Sequence, residues 1–215
     1  MDVRIEAVKT KEKTKSMYRV LKRFCDVVLC SLALVVLFPT FLIIGLCIWL
    51  EDRGSVFFVQ ERSGLNGKVF KMYKFRSMCM NAPHMHKSLL EQNELDGPAF
   101  KMKNDPRITK VGRFIRKTSL DELPQLINII KGDMSIVGPR PLPTYETVQM
   151  NDQQRQRLRV KPGLTCYWQC MGRNKLGFDE WMKLDMKYIE DENLWTDIKI
   201  IFKTFGAVLG EKGAC

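Results

Sequence analysis

The chain has 215 residues, 45% of them hydrophobic and 27% charged, with a formal net charge of +11. That length suits one domain with a real core rather than two, and the charge calls for an anionic partner: nucleic acid, acidic lipid headgroups or a phosphorylated substrate. With only His84 and His86, seven scattered cysteines in no C-x-x-C pair, no P-loop and no G-x-G-x-x-G, the chain is poorly supplied for histidine acid–base chemistry, zinc or a disulfide framework. Carboxylates and basic residues are left to carry any chemistry, and the cysteines read as reduced thiols in a reducing compartment.

Residues 1–23 are polar and basic, with Lys9, Lys11, Lys13, Lys15, Arg19, Lys22 and Arg23 outweighing Asp2, Glu6 and Glu12. They read as a juxtamembrane tail held by anionic lipid, each basic residue near the surface contributing ~1 kcal/mol. From Val27 to Leu50 no residue is charged, and as one helix this run would be ~36 Å long, enough to cross a bilayer. Pro39 divides it into arms of ~18 and ~16 Å, each about half a bilayer deep. Basic residues flank both ends, with Arg53, Arg62, Lys68, Lys71, Lys74 and Arg76 following, and a spanning helix would put one basic flank outside. A helix that enters, breaks at Pro39 and returns avoids this, although proline is also tolerated in spanning helices.

The remainder reads as a mostly helical α/β domain with a small sheet. Ser55–Gln60 and Lys68–Phe75 are strand-like and joined by the turn-prone Ser63–Gly67. Residues 84–107, with Gly97, Pro98 and Pro106, predict a short helical stretch inside an irregular loop. Leu120–Ile130 predicts a helix ended by Gly132, and Gly138–Pro141 cannot be regular. Asn151–Val160 predicts a short basic helix before the Lys161–Gly163 turn. Trp195, Ile198, Phe202, Phe205 and Leu209 recur at three- and four-residue steps, with Lys199 and Lys203 on the flanks. This amphipathic helix fits either a core or a membrane interface.

The chemistry concentrates in Thr118–Leu126. Ser119 and Glu122 have the spacing of a capping box, in which Asp121 and Glu122 merely complement the helix dipole. The basic surroundings favour a different role: Arg107, Lys110, Arg113, Arg116 and Lys117 precede the pair, and Lys131 and Arg140 follow it. A helix start offers N–H groups to phosphate and lowers a carboxylate's pKa, which keeps it ionised and nucleophilic. Two adjacent carboxylates can divide the labour, one attacking phosphorus and the other holding Mg²⁺. Phosphoryl transfer also needs cations around the phosphate, for which Lys74, Arg76 and Arg140 are the candidates, Arg140 stiffened between two prolines.

The runs Lys74–Met78, Asp105–Thr109, Ser119–Gln125, Gly132–Pro141, Lys161–Thr165 and Trp168–Gln169, in this order, resemble the bacterial sugar transferases, the monotopic phosphoglycosyl transferases. The likeness covers the chain from about Lys22 onward. It leaves out the basic tail over 1–23 and implies a re-entrant membrane helix over 24–50 broken at Pro39, and a catalytic domain over 51–215 on the cytoplasmic face of a bacterial inner membrane, with amphipathic interfacial helices. It further implies that Asp121 attacks the β-phosphorus of a UDP-sugar and releases UMP. Polyprenyl (undecaprenyl) phosphate then takes the sugar-phosphate in a ping-pong cycle, the first membrane step of exopolysaccharide assembly. On the same resemblance Glu122 binds Mg²⁺, Arg140 and Lys74 contact phosphate, and nucleic acid is no partner; a homo-oligomer is left open.

Two positions depart from the family pattern. Phe38 stands where many relatives carry serine before the proline, with Thr40 as a substitute hydroxyl, and Cys166 stands where glycine is common. The Thr165–Gln169 form leans toward glucose- or galactose-phosphate transfer. Without the extra N-terminal membrane bundle of larger relatives, the chain resembles the minimal catalytic unit. The rival readings are a membrane-anchored basic nucleic-acid-binding module, for which no recognised motif is present, and an inactive scaffold, which the Asp121–Glu122 pair argues against.

Overall fold

The structure is a computed structural model that describes residues 2–89, 102, 104–171 and 177–209, with the backbone alone at 2–15, 86, 87, 208 and 209. It is mostly helical, with two two-stranded sheets. Helix α1 runs from Asp2 to Asp52, and the hairpin β1 (Phe57–Ser63) and β2 (Val69–Phe75) follows in antiparallel register, Phe58 opposite Lys74. Next come α2 (Ala82–Leu89), α3 (Lys110–Lys117), a single 3-10 turn at Leu120–Glu122, α4 (Gln125–Lys131) and β3 (Ser135–Val137). Helices α5 (Thr144–Val148) and α6 (Asp152–Arg155), strand β4 (Gly163–Thr165, parallel to β3), α7 (Tyr167–Met171), α8 (Phe178–Asp191) and α9 (Leu194–Leu209) complete it. The expected hairpin and its turn are present, while Gly97 and Pro98 of the expected loop lie outside the described residues. The six described cysteines are free thiols.

Two expectations for the N-terminal region change. The basic segment is helical from Asp2, so it forms the first turns of α1 rather than a separate tail, and it docks on the domain from Tyr18 onward. The helical backbone also runs through Pro39 without interruption. A proline removes one hydrogen bond, which a helix in apolar surroundings absorbs as a bend.

Both ends of α1 are fastened to the same domain. At the near end, Tyr18 and Lys22 donate to Asp197 Oδ2 at 2.9 and 2.5 Å. Arg23 donates to the Ile129 and Ile130 carbonyls at the end of α4, where orphan carbonyls favour a cation. Asp26 Oδ1 accepts from the Ile136 N–H at 3.0 Å, and Cys30 joins the core of Phe70, Met72, Leu126, Ile129 and Met134. At the far end, Ile44 and Ile48 pack with Phe75 and Ile115, and Glu51 accepts from the Lys110 and Val111 N–H groups at the start of α3. Between these anchors Leu32, Val35, Val36 and Phe38 are exposed. Apolar surface of this extent left uncovered marks contact with a membrane or a partner.

The structure shows which face of helix α9 is buried. Ile200 and Asp197 are buried and Thr204 Oγ1 meets Thr165 Oγ1 at 2.6 Å, whereas Trp195, Ile198, Phe202 and Phe205 face outward, Phe202 at 72% exposure. The aromatic stripe is not core. Leu209, its last member, has no described side chain.

Candidate active site

The Asp121–Glu122 pair is held by its neighbours in sequence. Ser119 adopts the left-handed conformation (φ 57°, ψ 16°), which turns the chain out of α3 and costs a non-glycine residue roughly 1–2 kcal/mol. Leu120 and Leu123 then anchor on the cluster of Ile44, Ile48, Phe75 and Ile115, so the two acids between them are carried on a fixed turn. The expected capping box does not form, because the Ser119 hydroxyl makes no cap bond and Pro124 separates the turn from α4. The expected helix over 120–130 is therefore a 3-10 turn plus a shorter helix, closed by Gly132 at φ 93° as predicted. The positive charge beside the pair therefore comes from side chains rather than from a helix start.

Glu122 and its cations form the centre. Glu122 Oε1 accepts from Lys74 Nζ at 2.9 Å and from Arg140 at 2.8 Å. The three side chains are 14%, 16% and 27% exposed, so the contacts are only partly screened by water. Burial alone would raise the Glu122 carboxyl, but Arg140 and Lys74 outweigh it and hold it well below the usual carboxylate range. Burial lowers Lys74, against the pull of Glu122.

Asp121 differs in kind. Among the described residues it makes no hydrogen bond or ion pair. Burial pushes its carboxyl up; Lys74 opposes this and the Glu122 charge adds to it. The lowered pKa expected of a helix start is thus reversed, because the local element is a single 3-10 turn in which the Asp121 carboxyl is desolvated. Two adjacent carboxylates are shifted in opposite directions, the divergence that marks paired acid groups with separate roles.

Arg76 does not join them. Its guanidinium engages Asp52 at the end of α1 and lies against Met80, so its charge ties the hairpin to α1. Of the other basic residues near the motif, Arg116 acts on Asp121 through its charge, and Arg107 pairs with Asp105 at 2.6 Å. Arg62, read in sequence only as part of a basic flank, stands close enough for its charge to act on Arg140 and Glu122, and burial lowers its pKa to about 10. Beside it Glu146 is buried and pushed up to about 6, mainly by desolvation. A lone charge within a hairpin or a five-residue helix carries no periodic signal, which is why neither stood out.

No group of three or more His, Cys, Asp or Glu side chains stands together among the described residues. The oxygens available to a cation are Glu122 Oε2 and the Asp121 carboxylate. Such a pair suits Mg²⁺, which keeps waters and takes its other ligands from substrate phosphate, better than an all-protein cage.

Residues 17–211 match the family described as bacterial sugar transferase. The chain is similar to the undecaprenyl-phosphate galactose phosphotransferase of Salmonella typhimurium, 44% identical over 93% of this chain and 43% of that protein. It is likewise similar to the UDP-glucose:undecaprenyl-phosphate glucose-1-phosphate transferase of Escherichia coli, 42% identical over 86% of this chain and 39% of that protein. The exopolysaccharide production protein ExoY of Rhizobium meliloti is 41% identical over 90% of this chain and 87% of its own length. The chain therefore spans less than half of the first two relatives and most of the third.

Proposed function

The chain belongs to the bacterial sugar transferase family, and from that premise we propose that it moves a sugar-1-phosphate from a UDP-sugar to undecaprenyl phosphate at a membrane. The observation that carries this is the dyad: Asp121, half-buried and without a hydrogen-bond partner among the described residues, beside Glu122, which is gripped by Lys74 and Arg140. An oxygen of Asp121 attacks the β-phosphorus, the bond to the bridging oxygen breaks, and that oxygen leaves with the α-phosphate as UMP. An oxygen of the polyprenyl phosphate then attacks the same phosphorus and returns the carboxylate to Asp121. Lys74 and Arg140 offset charge on the phosphate oxygens throughout, as phosphoryl transfer requires. Glu122 would hold Mg²⁺, which would supply further positive charge near the phosphates. The names of the relatives support glucose- or galactose-phosphate as the group moved and exopolysaccharide assembly as the setting.

The test is to incubate membranes containing the protein with undecaprenyl phosphate and a panel of UDP-sugars, and to measure UMP. Acceptor-dependent UMP release with UDP-glucose or UDP-galactose is expected. No UMP with any donor, in a protein that has inserted and folded, would overturn the reading.

The same proposal places α1 as a re-entrant helix with the domain on the cytoplasmic face. Both ends of α1 touch one domain, so both lie on one side of any membrane its exposed middle enters. A straight helix from Tyr18 to Glu51 would be ~50 Å long, against roughly 40 Å for a compact domain of about 160 residues, which favours a bend at Pro39. The exposed stripe of α9 and its lysines fit the headgroup region of the same leaflet. Single cysteines at Thr10 and Gln60, on a background without native cysteines, are expected to show the same accessibility to an impermeant thiol reagent in intact cells and in inverted vesicles. Opposite accessibility would establish a span.

A further inference from the structure

The segment Gly138–Pro143 contains Pro139, Pro141 and Pro143, which have no N–H, so neither helix nor sheet can hold it. Its first residue still pairs, the Gly138 N–H donating to Thr165 O at 2.9 Å, and the rest is held by its carbonyls, four in succession. Pro139 O accepts from the Gly163 N–H at 2.9 Å, Arg140 O from Arg157 Nη2 at 2.7 Å, Pro141 O from Arg62 Nη1 at 3.0 Å and Leu142 O from the Ser63 N–H at 3.0 Å. Arg157 is the donor that serves Arg140 itself. It stands in the 3-10 turn Gln156–Arg159, and its Nη2 lies 2.6 Å from Asp185 Oδ2 on α8, the two side chains 3% and 1% exposed. Trp181, stacked on Trp168, presents its face to the guanidinium at 5.4 Å.

A buried Arg–Asp pair brings little net stability, because desolvating two charges offsets their attraction. What this pair adds is placement: its guanidinium bonds the main chain of the residue whose own guanidinium grips Glu122. We propose that Arg157, seated by Asp185, is a positioning residue for the transfer reaction, holding the Arg140 main chain so that the Arg140 side chain meets Glu122 and the substrate phosphate. This rests on the dyad reading above. Arg62 holds the following carbonyl, so without Arg157 the segment stays attached while Arg140 gains freedom to turn.

The test is a double-mutant cycle on the full-length protein in detergent micelles, with kcat and KM measured from UMP release. Both contacts come from Nη2, and Arg157→Lys keeps a cation beside Asp185 but ends one bond short of that nitrogen. It is expected to lower kcat by ~10–100-fold, the scale of a small misplacement of a reacting group, with KM for the UDP-sugar changing far less. In an Arg140→Ala background the same change is expected to alter kcat by no more than about twofold, since the two residues act as a unit. Equal losses in both backgrounds would overturn the proposal and leave Arg157 a general structural residue. If Arg157→Lys loses its cooperative thermal transition, Asp185→Asn carries the same cycle. A second readout needs no turnover: in protein labelled with nitrogen-15 arginine, the Arg140 guanidinium resonance, assigned by its loss in Arg140→Lys, should be sharp in wild type and broadened in Arg157→Lys. An unchanged resonance would refute the positioning role. A wild type that releases no UMP would instead refute the reaction, with the positioning role still decided by this resonance.

Discussion

Asp121→Asn is expected to lower turnover by ~10⁴-fold or more, the size of effect seen when a covalent nucleophile is removed, with the fold and membrane association intact. The structure explains why the loss should be so clean. Asp121 has no hydrogen-bond or ion-pair partner among the described residues, so an amide of the same shape strands no cation and breaks no network. An amide cannot attack phosphorus, and Glu122, its carboxylate held by Lys74 and Arg140, is not free to substitute. The wild-type pH profile should carry a matching sign. Burial raises the Asp121 carboxyl, so the nucleophilic form is lost as pH falls through a value above that of an ordinary aspartate. The acid limb of kcat/KM should lie correspondingly high. UMP release measured against pH, with thermal denaturation as the folding control, checks both statements. An Asn variant that keeps substantial activity would remove Asp121 from the chemistry.

Glu122→Gln is expected to act on catalysis and stability together, and so differs from the Asp121 change. Removing the charge leaves Lys74 and Arg140 partly buried, close together and without their shared anion. Breaking a buried pair from one side costs about 3–5 kcal/mol, and the 14–27% exposure of these groups argues for the lower end. For a domain of this size ~3 kcal/mol corresponds to a fall of roughly 6–12 °C in Tm. Turnover should fall by ~10²-fold or more as the electrostatic frame around the phosphate is lost, with a weaker dependence on Mg²⁺ concentration. Calorimetry and a Mg²⁺ titration of UMP release separate the two effects. A variant with unchanged Tm would contradict the ion-pair geometry, and one with unchanged Mg²⁺ dependence would move the cation away from Glu122.

Much of this site was legible in the residues. Lys74, Arg140 and the adjacent Asp121–Glu122 pair stand far apart in sequence, yet the pair forms a motif and the two cations lie in stiff or strand-like segments, and the fold brings both cations onto Glu122. Local geometry was less legible. Ser119 followed by Glu122 three residues later has the pattern of a cap, but Ser119 takes a left-handed turn instead, with Leu120 and Leu123 half-buried against the core. That turn reverses the Asp121 pKa expected of a helix start. Arg76 resembles Lys74 in its sequence setting, and only the return of α1 to the domain, with Asp52 at its end, decides that its charge is spent elsewhere. The stripe on α9 was readable as a pattern but not as a direction, because periodicity gives the spacing of a face and not what it faces. Which side is core depended on Asp197 receiving Tyr18, Lys22 and Tyr188, contacts across 9 to 179 residues of sequence.

The central claim is that Asp121 carries the sugar-phosphate between the two substrates, and the most direct measurement is intact-peptide mass spectrometry after incubation with UDP-sugar and Mg²⁺ in the absence of polyprenyl phosphate. The account predicts a mass increase equal to one hexose phosphate on the peptide containing Asp121, stoichiometric with a burst of UMP, discharged when polyprenyl phosphate is added and absent from Asp121→Asn. UMP release that begins only when both substrates are present, with Asp121 unmodified throughout, would contradict it.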